Sequence, residues 1–162
     1  MTTGRAATRA DSRRGDAPVT GTREVVVRAV VVLGLVVDAF VHLRMAPVMD
    51  IAAPGGIGGG NLFRLQGAVA AAVALLLLVL PRWWTYALAA AVALSALGPV
   101  LLYHFVDVPP IGPIPSMYDP LWSPEKVVSI VGEALAAGFA LWGLALTSPR
   151  RGQRSRSLVP HH

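Results

Sequence analysis

Apolar residues run along this chain in four blocks, each too long for a core strand and each bounded by polar or turn-forming residues. A helix that crosses a bilayer needs about 20 mostly apolar residues to span about 30 Å of hydrocarbon. The blocks that meet this requirement run from Val25 to Met45, Leu62 to Leu80, Arg82 to Val106 and Ser123 to Leu146. Pro47, Pro54 and the glycines at 55–60 punctuate a loop over 46–60, and Pro81 ends the second block. Trp83, Trp84 and Tyr86 open the third block as an interfacial aromatic belt, and Gly98-Pro99 predicts a kink within it. Pro109, Pro110, Pro113, Pro115 and Pro120 stiffen the loop over 107–122. The fourth block starts with Ser123 as N-cap, Pro124 at the first helical position and Glu125 in the first turn.

The expected fold is therefore all-α, a four-transmembrane-helix bundle over 25–146. Basic tails over 1–24 and 147–162 carry no apolar periodicity and are expected to be disordered. Small residues spaced four apart, Gly67 with Ala71, Ala89 with Ala93 and Ala136 with Ala140, mark faces where backbones approach closely.

Charge orients the bundle. Of the 14 Lys and Arg residues, all but Arg44, Arg64 and Lys126 fall in the tails, at Arg28 or at the hairpin residue Arg82. The positive-inside rule then places both termini in the cytoplasm and the two longer loops outside, in a multi-pass protein of the plasma membrane. Topology and anionic lipid account for these arginines, so nucleic acid is not an expected partner. With no cysteine, structural disulfides, thiolate metal sites, iron–sulfur clusters and covalently attached haem are excluded.

The polar residues inside the spans fall toward one side. Taking 1.5 Å per residue, Asp38 lies about 12 Å and Glu133 about 14 Å below the outer boundary. His42, Arg64, Gln66 and His104 lie nearer that boundary. Asp38 and His42 are spaced i, i+4 and share a helix face. Glu133 shares a face with Ser129, Ala136 and Ala140. Intramembrane charges must find partners, so one expectation is a structural network in which Arg64 neutralises Asp38 or Glu133.

Three chemistries compete with that reading. Asp38, His42 and Glu133 suit a proton or cation relay, in which case a protomer this small needs a homo-oligomer or a membrane-protein partner. His42 and His104, with the carboxylates, offer metal ligands, and Met45, Met49 and Met117 offer thioethers to copper. The two histidines also suit axial ligation of one haem b. Met117, Tyr118 and Trp122 are placed to form a lid over the polar layer. No nucleophile elbow or phosphate-cradling loop is present. The leading expectation is a non-catalytic ligand-binding or accessory subunit. The alternative is a small redox or transport protein that holds haem, a metal ion or protons.

The segments Tyr103-His104-Phe105-Val106-Asp107-Val108, Gly112-Pro113-Ile114-Pro115-x-Met117-Tyr118-Asp119-Pro120-x-Trp122 and Glu125-Lys126, with Glu133, form a distinctive pattern. Together with Asp38-x-x-x-His42-Leu43 and Gly60-Asn61-Leu62-Phe63-Arg64-x-Gln66, it resembles a family of small actinobacterial four-pass membrane proteins. The match covers roughly Val25 to Leu146 and is loosely similar to DoxX-like four-helix proteins. The resemblance implies the topology and assigns no chemistry.

Overall fold

Four α-helices follow one another in the computed structural model, which describes residues 21–148. They are α1 (Thr22–Ala52), α2 (Gly59–Val79), α3 (Trp83–Phe105) and α4 (Pro124–Thr147). Each is long and apolar enough to span a membrane. The chain is thus a multi-pass, all-α membrane bundle. The tails expected to be disordered lie almost wholly outside the described residues.

The ends of the elements follow from local chemistry. Ser123 Oγ accepts the Lys126 amide proton at 3.1 Å, so α4 starts on the expected cap. Thr85 caps α3, with the Arg82 amide donating to Thr85 Oγ1 at 3.0 Å. The first helix differs from its expected bounds. It starts three residues before Val25 and runs through Pro47 to Ala52. Proline removes only its own amide donor and the bond to the carbonyl four residues earlier. The remaining turns here tolerate that loss. At about 1.5 Å per residue α1 is about 46 Å long, well beyond the hydrocarbon thickness. Its last turns therefore carry Asp50 to the membrane boundary or beyond it.

Helix α1 packs against both α2 and α4, and α3 packs against α4, while α2 and α3 touch more sparsely. Among the described residues no α2–α4 packing occurs, so the neighbours form a ring in the order α2, α1, α4, α3. The expected small-residue faces lie in these seams: Gly67, Ala89, Ala93, Ala136 and Ala140 are all buried. Without a hydrophobic driving force between helices in lipid, this close van der Waals packing holds the bundle together. Meanwhile Leu33, Phe40, Leu65, Leu75 and Leu102 lie exposed on the outer faces, as a lipid-facing surface requires.

The bundle has two unlike halves. Toward the α2–α3 hairpin, Val31, Leu35, Leu77 and Tyr86 close a dense apolar core with alanines from α3 and α4. Toward the longer loops the helices leave a cavity of about 570 Å³. The two loops above it are tied together. The Ile57 amide donates to the Pro113 carbonyl at 2.8 Å, and Ile111 and Ile114 exchange bonds of 3.0 and 3.1 Å around Gly112. Gly56, at φ 60°, lies so close to the Pro113 carbonyl that no side chain fits there.

Candidate functional site

Asp38 and His42 occupy adjacent turns of α1, and Glu133 faces them from α4. The close approach of those two helices at Gly34 and Gly132 brings them together. A Cβ on Gly34 would come within 2.6 Å of the Gly132 carbonyl, so this contact admits only glycine. Asp38 and Glu133 are both 0% exposed, and His42 is largely buried.

His42 Nδ1 lies 2.6 Å from Asp38 Oδ1 and 3.0 Å from the Asp38 backbone carbonyl. Gln66 reaches in from α2, where its Nε2 donates to Asp38 Oδ2 at 3.0 Å and to the Val92 carbonyl at 3.2 Å. Ser95 Oγ of α3 lies 3.3 Å from Gln66 Oε1 and 2.8 Å from the Val92 carbonyl, the nearer acceptor for its single proton. Ser129, one turn before Glu133, donates to Glu133 Oε1 at 2.5 Å. Two buried carboxylate oxygens are left without a well-aligned hydrogen-bond donor: Glu133 Oε2 and, despite the close approach of His42, Asp38 Oδ1. A buried acceptor without a donor costs about 1–3 kcal/mol, and more when it is charged.

One ligand atom from each of Asp38, His42 and Glu133 lies within 4.8 Å of the others. Nitrogen and oxygen ligands bind zinc tetrahedrally at roughly 2.0–2.2 Å, so two ligands on one ion sit about 3.4 Å apart. Side-chain movement of up to about 1.4 Å brings the three atoms onto one such ion. The three residues therefore form a partly buried cluster able to coordinate a metal ion. Its donors are one imidazole and two carboxylates, and nothing in that set selects haem b or copper.

The other expected site residues lie around this cluster. Arg64 pairs with Asp50 at the exposed ends of α1 and α2, and not with Asp38 or Glu133. His104 is buried but outside the cluster. Its Nδ1 lies 3.3 Å from the Asp119 carbonyl, and its ring packs at a 51° tilt against Trp122 with centroids 4.0 Å apart. Met117 and Tyr118 line the cavity from the second loop, together with Met45, Met49, His42, His104 and Gln66. Trp122 clasps the loop to α3 through His104.

Ser95 and Asp50 carry parts of the arrangement that sequence pattern alone does not single out. A lone serine in an alanine-rich span looks like filler. Asp50 falls in a stretch whose proline and glycines read as loop. Compared with known proteins, the chain matches no family model, no curated protein and no solved structure.

Proposed function

We propose that this protein binds a divalent first-row transition-metal ion within the membrane, through Asp38, His42 and Glu133, as a small metal-handling transport or redox protein. One observation carries the reading: two fully buried carboxylates face one histidine, with Glu133 Oε2 lacking any donor and Asp38 Oδ1 contacted only by His42. Buried charges are paired or coordinate metals. Both carboxylates are ionised ligands for a divalent ion, and together they neutralise it.

The donor set favours manganese, iron, cobalt or zinc over soft copper(I), which prefers sulfur. Gln66 and Ser129 act from behind the ligands, each holding the second oxygen of one carboxylate. Such outer partners orient ligands and tune affinity. Three protein ligands leave coordination positions open on the ion. The charge distribution supports cytoplasmic termini in the plasma membrane, with the cavity end of the bundle outside.

The test is elemental analysis of the purified full chain after exposure to Zn²⁺ or Mn²⁺ and removal of excess ion. About one equivalent per chain is expected. Asp38→Asn and Glu133→Gln should each lose it. All three proteins carry His161 and His162, so metal held by the tail cancels in the comparison. Equal metal content in the parent and both variants would sink the reading. An absorption spectrum of the same samples reports haem.

A further inference from the structure

The cavity above the cluster is built for something larger than an ion. Glu133, Ser129, His42 and Gln66 line its deep end, while Met45 and Phe63 belong to its apolar wall. Met117, Tyr118 and Asp119 cover it on the loop side.

On the loop side Tyr118 and Asp119 are themselves exposed, and the cavity has a lateral side as well. Leu65 and Val69 of α2 and Ser95 and Pro99 of α3 line the cavity and are also exposed on the outer surface. These helices are the most loosely packed neighbours in the ring. All four residues belong to spanning helices, so the gap opens sideways into lipid. A molecule that enters there must first partition into the bilayer.

The charge balance inside the cavity selects what such a molecule carries. Glu133 is fully buried, and its Oε2 has no donor. Arg64 is engaged by Asp50. Lys126 also lines the cavity, but its ammonium is held by Asp119 Oδ2 at 2.7 Å and by the Asp119 and Leu121 carbonyls at 2.6 and 2.7 Å. His104 also lines the cavity but turns its Nδ1 to the Asp119 carbonyl at 3.3 Å, so among the described residues His42 is the basic group that lies against the two carboxylates. Phe63, Tyr103 and Tyr118 add aromatic faces, which attract cations.

We infer that this cavity takes a lipophilic organic monocation from the bilayer, with its charged centre against Glu133 and its apolar body against Phe63 and Met45. The site shares Glu133 with the metal reading and does not depend on it. The cation and the metal ion compete for the same carboxylate.

Tetraphenylphosphonium serves as probe, and neutral triphenylphosphine oxide as comparator of similar shape. The full chain is placed in phosphatidylcholine nanodiscs after treatment with EDTA, and binding is measured at equilibrium. The phosphonium should bind saturably, and at least about tenfold more tightly than the phosphine oxide. Glu133→Gln should abolish that preference, and Ser95→Trp, which fills the lateral gap away from Glu133, should weaken phosphonium binding. Equal affinity for both probes in the parent protein overturns the inference. So does unchanged phosphonium binding in folded Glu133→Gln or in Ser95→Trp. Phosphonium binding that needs Glu133 but resists excess Zn²⁺ supports this site and counts against the metal reading alone.

Discussion

Arg64 and Asp50 meet across the ends of α1 and α2, with Nη1 3.0 Å from Oδ1 and Nη2 2.5 Å from Oδ2. This two-pronged pair occupies both arms of the guanidinium. It also sets the character of the interior, because the arginine that could have neutralised Asp38 or Glu133 is engaged elsewhere. The cluster keeps two buried carboxyl groups with His42 as the basic side chain beside them.

Arg64→Gln is therefore expected to leave the metal content of the purified protein unchanged. The pair is about half exposed on both sides, and exposed pairs contribute little to stability. Elemental analysis beside Glu133→Gln checks this. Loss of metal in Arg64→Gln, to the level of Glu133→Gln, would show that the arginine acts on the cluster after all.

Gln66→Leu removes the donor to Asp38 Oδ2 and leaves that oxygen buried and unpaired. The metal-free protein should lose about 1–3 kcal/mol of stability. Metal affinity should fall by about 10–100-fold, the usual cost of removing an outer partner. Thermal melting with and without Zn²⁺, with a Zn²⁺ titration, measures both. An unchanged affinity would remove Gln66 from any part in the site.

The loop over the cavity should loosen in acid. Burial raises the Asp119 pKa, but the Lys126 ammonium at 2.7 Å, the Leu121 amide and the nearby His104 outweigh it, and the net value lies below 3.8. A carboxylate with a depressed folded pKa stabilises fully above its unfolded pKa, and that contribution disappears as the pH falls through the folded value. Trp122, three residues along and packed at a tilt against His104, reports the change. With Trp83, Trp84 and Trp142 changed to Phe, its fluorescence should shift with a midpoint below pH 3.8. Asp119→Asn should abolish that transition. A midpoint above 3.8 would contradict the Lys126 clasp.

What the sequence made legible here is governed by period and depth. Continuous apolar runs specify spans without ambiguity, and Ser123-Pro124-Glu125 specifies a helix start from three residues alone. The burial of Asp38 and Glu133 was readable because a carboxylate many residues from either span end has no route to water. The partner of Arg64 was not. Pairing across two helices depends on where α1 ends, and Pro47 normally marks the end of a helix. The orientation of Gln66 was equally hidden, since it depends on Asp38 and the Val92 carbonyl, 28 and 26 residues away. Local pattern carries the elements, and long-range polar geometry carries the site.

The α1–α4 seam offers the sharpest stability contrast. At Gly34 an added Cβ meets the Gly132 carbonyl at 2.6 Å and the Ala136 Cβ at 2.9 Å, and neither is a flexible side-chain end. Gly34→Val must push the helices apart, and overpacking of this kind costs about 1–3 kcal/mol. Because Asp38 lies one turn beyond Gly34 and Glu133 directly follows Gly132, the same displacement should separate the cluster and reduce metal binding as well. Gly138 on α4 is the control. A Cβ there would meet nothing within 4 Å, so Gly138→Ala adds a methyl to open space and should gain about 0.5–1 kcal/mol from the helix backbone. Melting and metal titration of both variants test the pair. If Gly34→Val melts like the parent and retains its ion, the glycine contact does not hold the carboxylates in register.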